Sequence, residues 1–344
     1  MDLPKTIRAV YQESPGSSTL FLTETPLPVP AGPDEHLIKI KSTAPCLGEL
    51  AWEINFPHLF PPPRERVPGT EGAGVVVSSP GPDSSPFRPG DEVFFRLPAN
   101  RPGCLREYTV ALTAELARKP RGMSWVQAGA AALSSLTAYQ GLFRHGLLDP
   151  AALRGDPAAR ESNRRRRILV TGAGGGVGSW AVQLAAAAGA GTVVAVCGPS
   201  KAADVLRAGA TEVCDYTRQS VAEWAAATDA DAPSRVCDMA LDCIGGSSLE
   251  GCWSAVRDGG VIVSAAETPD SRRPEAARDK KMERSAWFLM EPSGADLEDV
   301  ARVFEAGKAA PWIDSVFEFE QFAEAYERVK SGKSKGKVVI KVDC

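Results

Sequence analysis

No apolar run in this chain approaches the roughly 20 residues a membrane-spanning helix needs, so no such span is expected. Neither charge sign dominates. Lys and Arg number 39 against 43 Asp and Glu, a net charge of −4, and this balance points to neither a nucleic-acid nor a membrane partner. Histidine is scarce: His36, His58 and His145 are the only three and stand far apart. The eight cysteines show no C-x-x-C spacing, so free, reduced thiols in a cytoplasmic protein are expected rather than a disulfide framework. Met1-Asp2-Leu3-Pro4-Lys5-Thr6 lacks a signal-peptide core. Cys344 is the final residue, whereas a prenylation box places its Cys fourth from the end.

What the chain does have is glycine in the right place. Ile168-Leu169-Val170 is a β-type apolar run that feeds Thr171-Gly172-Ala173-Gly174-Gly175-Gly176-Val177-Gly178, and an Ala/Leu-rich helix follows. Glycines let a backbone approach a pyrophosphate without a Cβ in the way, and a helix start offers N–H groups and partial positive charge. Read strictly, the dinucleotide fingerprint G-x-G-x-x-G falls on Ala173, Gly175 and Gly178, with Ala in its first position. A second strand at 192–197 completes the strand–turn–helix–strand context that dinucleotide binding requires.

At 344 residues and 44% hydrophobic the chain is long enough for two domains, each with its own core. Short apolar runs at 7–11, 20–23, 37–40, 74–77, 92–95 and 107–110 alternate with Pro/Gly clusters, which predicts a small, partly open β-barrel. Ser124 is a candidate N-cap for helical patterning that runs to about 145. Residues 149–163 have no clear periodicity and read as a surface insertion, and Arg164–Arg167 as a solvated linker face. From 167 strands and helices alternate, which specifies a parallel sheet with helices on both faces. A last strand is expected within 285–290 and a helix at 297–306. The tail, with a strand at 337–342, is expected to return to the first domain.

Five segments in this order resemble the medium-chain dehydrogenase/reductase superfamily. They are Val67-Pro68-Gly69-Thr70-Glu71-Gly72-Ala73-Gly74-Val75, Arg88-Pro89-Gly90-Asp91-Glu92-Val93, Ala173–Gly178, Ala240-Leu241-Asp242-Cys243-Ile244-Gly245 and Gly336-Lys337-Val338-Val339-Ile340. The resemblance implies an α/β protein: a GroES-like β-rich catalytic domain (1–140 and 308–344) and a Rossmann doubly wound parallel-sheet nucleotide-binding domain (141–307). Within the superfamily the chain is most similar to the zinc-independent branch, which holds quinone oxidoreductases and trans-acting enoyl reductases of fungal polyketide pathways. Zinc relatives carry a ligand Cys near Cys46, a His where Thr70 stands and a second Cys within Ala132-Leu133-Ser134-Ser135. Two of those three positions hold no thiol or imidazole here, so no metal is expected.

The cofactor expectation is NADPH. NAD-specific folds place Asp or Glu about 20 residues past the fingerprint, and here Cys197-Gly198-Pro199-Ser200-Lys201 contains no acid before Asp204. Ser200 and Lys201 can hold a 2′-phosphate, and the resemblance adds Tyr216, Ser264 and Lys337 to the cofactor contacts. Without a metal Lewis acid, acceptors that delocalise their own charge are favoured: enones, enoyl thioesters and quinones. Trp52 and Phe56 could wall an apolar pocket or belong to the core. Thr137 and Tyr139 lie on a helix that in relatives faces the substrate, and Cys46 and Glu49 occupy the nicotinamide-side segment. No residue is assigned as the catalytic acid: water, Tyr139 and Cys46 remain open. Three readings stand. The first is an NADPH-dependent reductase of an activated C=C bond, free or carrier-bound, with a polyketide synthase as its partner. The others are a quinone oxidoreductase and a non-enzymatic NADPH-binding protein. Monomer and homodimer are both open.

Overall fold

The computed structural model describes residues 3–227 and 235–342; Cys344, set aside above as a lipidation site, lies outside them. Contacts divide the chain into two units. The first comprises residues 1–133, 291–301 and 311–344, and the second residues 134–290 and 302–310.

The first unit is β-rich. β1 (Thr6–Gln12) and β2 (Leu20–Pro26) form a hairpin. β3 (Glu35–Thr43), β4 (Glu71–Ser78), β5 (Glu92–Arg96), β6 (Tyr108–Leu112) and β7 (Leu116–Arg118) pair antiparallel. The apolar alternation of these short strands buries Ile38, Ile40, Val76, Val93 and Phe95 in one core. Ser124 caps the helix Trp125–Ala128 through a reciprocal capping box with Gln127.

The second unit is a six-stranded, all-parallel sheet. Its strands are β8 (Arg167–Val170), β9 (Thr192–Cys197), β10 (Glu212–Asp215), β11 (Cys237–Asp242), β12 (Val256–Ser264) and β13 (Arg284–Trp287). The spatial order is β10-β9-β8-β11-β12-β13, the doubly wound order with its switch point between the first and fourth strands. Continuous apolar runs such as Ile168–Val170, all fully buried, are what strands covered on both faces require.

β14 (Ile313–Phe317) and β15 (Lys337–Lys341) rejoin the first unit, where β15 pairs with β3. Tyr326, Val329, Val338 and Ile340 enter that unit's core. The helix expected at 297–306 spans Gly294–Glu305.

Residues 149–163 are not the irregular insertion expected. Pro150–Arg154 forms a 3-10 turn and Pro157–Arg164 a helix. The helix rests on caps rather than an apolar stripe. Asp156 accepts from the N–H groups of Ala158 and Ala159 at 2.8 and 3.0 Å, and Pro157 occupies the first turn, where its missing N–H costs nothing. The buried Asn163 amide donates to the Asp149 and Ala188 carbonyls, both at 3.0 Å. Among the described residues, no helix is long and apolar enough to cross a membrane.

Candidate active site

The glycine segment of the second unit forms a helix-start cradle. After β8 the chain turns at Gly172, whose φ of +59° lies in the left-handed region that favours glycine. Gly172 therefore does the turning, and this is why Ala173 is tolerated in the first fingerprint position; its side chain is buried and its N–H donates to Val196 O. The helix Gly176–Ala187 opens on Gly175, and its first backbone bond runs from Ser179 N to Gly175 O at 3.0 Å. The N–H groups of Gly176, Val177 and Gly178 precede that bond and carry the helix's partial positive charge. A Cβ on Gly178 would stand 2.2 Å from Gly172 O, whereas one on Gly175 would meet only that oxygen at 3.2 Å. Gly178 thus permits close helix–strand packing, and Gly175 leaves the cradle open.

Next to the cradle, the helix Pro199–Arg207 starts at Gly198 and presents the exposed Ser200. Lys201 Nζ donates to Gly174 O at 2.9 Å, and Tyr216, 61% exposed, has its hydroxyl beside Gly198. Gly174, Gly198, Ser200, Lys201 and Tyr216 thus form one cluster around a helix start. An open cradle, a helix N-terminus and a lysine bound to the cradle's own backbone fit a dinucleotide.

Ser264 plays a different part from the one expected. Its hydroxyl donates to Asp242 Oδ2 at 2.7 Å and accepts from the N–H groups of Ala266 and Glu267 at 3.0 and 3.2 Å. One donor and two acceptor sites exhaust a serine hydroxyl, so the Ser264 side chain shapes the loop after β12. Asp242 is fully buried and also accepts from Thr171 Oγ1 at 2.6 Å and Gly245 N at 2.9 Å. This lock across the strand ends was missed. Its signal was an acid closing the apolar run of β11.

Lys337 also departs from expectation. It opens β15 in the first unit, and its Nζ lies 2.8 Å from Glu71 Oε1 and donates to Pro45 O at 3.3 Å. Burial alone would lower its pKa; the charge and hydrogen bond of Glu71, with Glu49 nearby, outweigh burial and raise it. The ammonium is held within this unit's core rather than offered to an adenosine phosphate.

Around Lys337 the first unit gathers Cys46, Glu49, Glu71, Arg96 and Tyr326. Glu71, fully buried, also accepts from Leu133 N at 2.8 Å. Glu49 accepts from Tyr326 Oη at 2.6 Å, Cys46 N at 3.1 Å and Gly69 N at 3.2 Å. Burial raises its pKa, against these three donors and the Lys337 charge. Burial also pushes the Cys46 thiol up to about 11, so it is protonated at neutral pH. Trp52 borders a cavity of about 20 Å³ together with Glu49 and Thr70. That is room for a water but not for an acceptor, and Phe56 does not line it. Thr137 and Tyr139 lie in the second unit's part of the helix Ala132–Tyr139. Both are buried, and Tyr139 packs on Phe143 with ring centroids 4.8 Å apart. Arg96 and Tyr326 were not foreseen, although an arginine ending the Val93-Phe94-Phe95 run was the available signal.

Two family models match the chain: an alcohol dehydrogenase GroES-like domain over residues 32–131 and a zinc-binding dehydrogenase over residues 208–340. A probable zinc-binding oxidoreductase, mitochondrial, from Arthroderma benhamiae is 41% identical over 99% of this chain and 98% of its own length. The chain belongs to the medium-chain dehydrogenase/reductase superfamily. The mouse NAD(P)H oxidoreductase RTN4IP1, mitochondrial, is 30% identical over 80% of this chain and 70% of its own. A chloroplast envelope quinone oxidoreductase homolog from Arabidopsis thaliana is 29% identical over 98% of each chain. The solved quinone oxidoreductase from Coxiella burnetii superposes with a TM-score of 0.78 at 23% identity, covering 98% of this chain and all of that one. The α/β fold with its GroES-like and Rossmann parts is that of the superfamily, and the protein is an oxidoreductase.

Zinc, named in one matched model and one relative, does not fit the residues here. A catalytic zinc takes three protein ligands from thiolate, imidazole and carboxylate. Thr70 offers only a hydroxyl and Glu71 is paired with an ammonium, which leaves Cys46 as the one thiol among those positions. Among the described residues, no group of three or more His, Cys, Asp or Glu could hold a metal ion.

Proposed function

We propose that this protein is an NADPH-dependent reductase of an activated C=C bond, an enone or enoyl thioester, working without zinc. The observation that carries the reading is the charge arrangement in the first unit. Lys337 and Arg96, rather than a metal, are the cations beside Cys46 and Glu71. A fixed protein cation favours an acceptor that moves charge onto its own oxygen over a simple ketone that needs a Lewis acid. The 2′-phosphate preference is supported by Ser200, Lys201 and Tyr216 around Gly198 and by the missing acid after β9. NADPH would be held by the Gly172–Gly178 cradle and would supply hydride. A carrier-bound substrate, a polyketide synthase partner and a cytoplasmic location extend this proposal, and the mitochondrial names of two relatives weigh against the last. Quinone reduction is the second reading, supported by the name of the Arabidopsis relative.

Turnover of NADPH and NADH is measured with an enone and with 1,4-naphthoquinone, using 4-deuterated cofactor for the enone. The C=C reading expects NADPH preference and deuterium at the β-carbon. Label on a carbinol carbon, or turnover with the quinone alone, would sink it.

A further inference from the structure

Arg96 is a buried cation without a hydrogen-bond partner among the described residues. It closes β5 directly opposite Glu71 on β4, so both side chains leave the same face of the sheet. The residue is 5% exposed, and its Nε and Nη1 donate to nothing among the described residues. Burial pulls its pKa down, against the charges of Glu71 and Glu49, yet a guanidinium does not shed its proton in a protein. The neighbouring carboxylates do not answer it. Glu71 Oε2 accepts from Leu133 N, and Oε1 faces the Lys337 ammonium at 2.8 Å rather than Arg96. Both Glu49 oxygens are engaged, by Tyr326, Cys46 N and Gly69 N.

An unpaired buried charge is among the costliest features a core can carry. Unsatisfied groups of this kind belong where something from outside the fold completes them. The guanidinium is a planar fork of donors that matches a carboxylate or a carbonyl oxygen gaining negative charge.

Resting on the C=C reductase reading, we propose that Arg96 is the docking group for the acceptor's carbonyl oxygen. The bound cofactor would supply a hydride that forms the C–H bond at the β-carbon, and the C=C electron pair would shift so that the carbonyl oxygen becomes an enolate oxygen. That oxygen is the charge Arg96 holds. A proton ultimately drawn from solvent then adds at the α-carbon and restores the carbonyl. A small unsaturated carboxylate mimics the enolate without needing cofactor.

Crotonate and the neutral crotonamide are titrated calorimetrically into cofactor-free, full-length protein, wild type and the variants Arg96→Met and Arg96→Lys. Wild type is expected to bind crotonate more tightly than crotonamide. Arg96→Met should weaken crotonate binding by at least about tenfold, and Arg96→Lys, which keeps the charge but not the fork, should fall between. Unliganded Arg96→Met should melt no lower than wild type, because a buried unpaired charge has gone. A guanidinium with a purely structural role predicts a lower melting temperature with crotonate binding unchanged. Equal binding by wild type and Arg96→Met, or none by either, overturns the proposal and leaves Arg96 with ordered water alone. Should Arg96→Met fail to fold, Arg96→Lys decides: unchanged affinity overturns the proposal. Enone turnover by wild type is read alongside. Its absence sinks the reductase reading, while the titration still judges Arg96.

Discussion

Lys201 crosses 27 residues of sequence to bond the carbonyl of Gly174. A Cβ on Gly174 would press to 2.8 Å from the lysine stem, so one glycine both opens the cradle and lets this lysine lie over it. One of the ammonium's three donors thus orients the head group beside Ser200 and the start of the next helix. NADPH and NADH differ only in the 2′-phosphate, and this residue isolates that difference. Lys201→Ala is expected to raise KM for NADPH by roughly 10- to 100-fold, the worth of a charge-assisted phosphate bond, and to leave KM for NADH nearly unchanged. Steady-state kinetics with both cofactors check this. Equal loss for the two would place the 2′-phosphate elsewhere.

Among the elements, β14 is tied down by charge. Asp314 accepts from Arg328 Nη2 and Nε at 2.7 and 2.8 Å and from Lys335 N at 2.7 Å. The Arg328 hydrogen bond is the main cause that holds its carboxyl well below the usual carboxylate range. An acid with a depressed folded pKa stabilises the fold fully above its unfolded value, about 3.9, and loses that contribution as pH falls through the folded value. The melting-temperature gap between wild type and Asp314→Asn should stay level above about pH 5 and narrow steadily below about pH 4. A gap unchanged down to about pH 2 would show that the carboxylate's charge is not what matters. The same scale explains what was legible beforehand. β8 and its glycine turn declare themselves because an apolar run, a left-handed glycine and a helix start are adjacent in sequence. The helix Pro157–Arg164 does not, because it buries only Ala159 and Asn163 and starts on Asp and Pro caps. The Glu49–Tyr326 bond joins residues 277 apart, and Arg96 meets Glu71 only through strand register. No local pattern contains either relation.

At the scale of the whole chain, the first unit's core is finished only by the last segment. Tyr326 and Val329 and the β15 residues Val338 and Ile340 join a core that begins with Val10. Lys337 places one charge of a buried pair on that closing strand and Glu71 carries the other, its side chain fully buried. Removing Lys337 takes away the ion-pair partner of Glu71 and leaves only Arg96 as a cation beside it, a loss of up to about 3–5 kcal/mol, whereas removing both members of the pair can be close to neutral. Lys337→Met should therefore destabilise the first unit by up to that amount, and the double change Glu71→Gln with Lys337→Met should recover most of it. The cradle, Ser200, Lys201 and Tyr216 all lie in the second unit, so NADPH binding should survive in Lys337→Met under conditions where the first unit has begun to unfold. Denaturant unfolding followed by tryptophan fluorescence, with NADPH binding measured at each step, checks both halves. If cofactor affinity falls in parallel with the first unit's unfolding, or falls in Lys337→Met at full folding, then Lys337 contributes to the cofactor site after all, and its pairing with Glu71 does not exhaust its role.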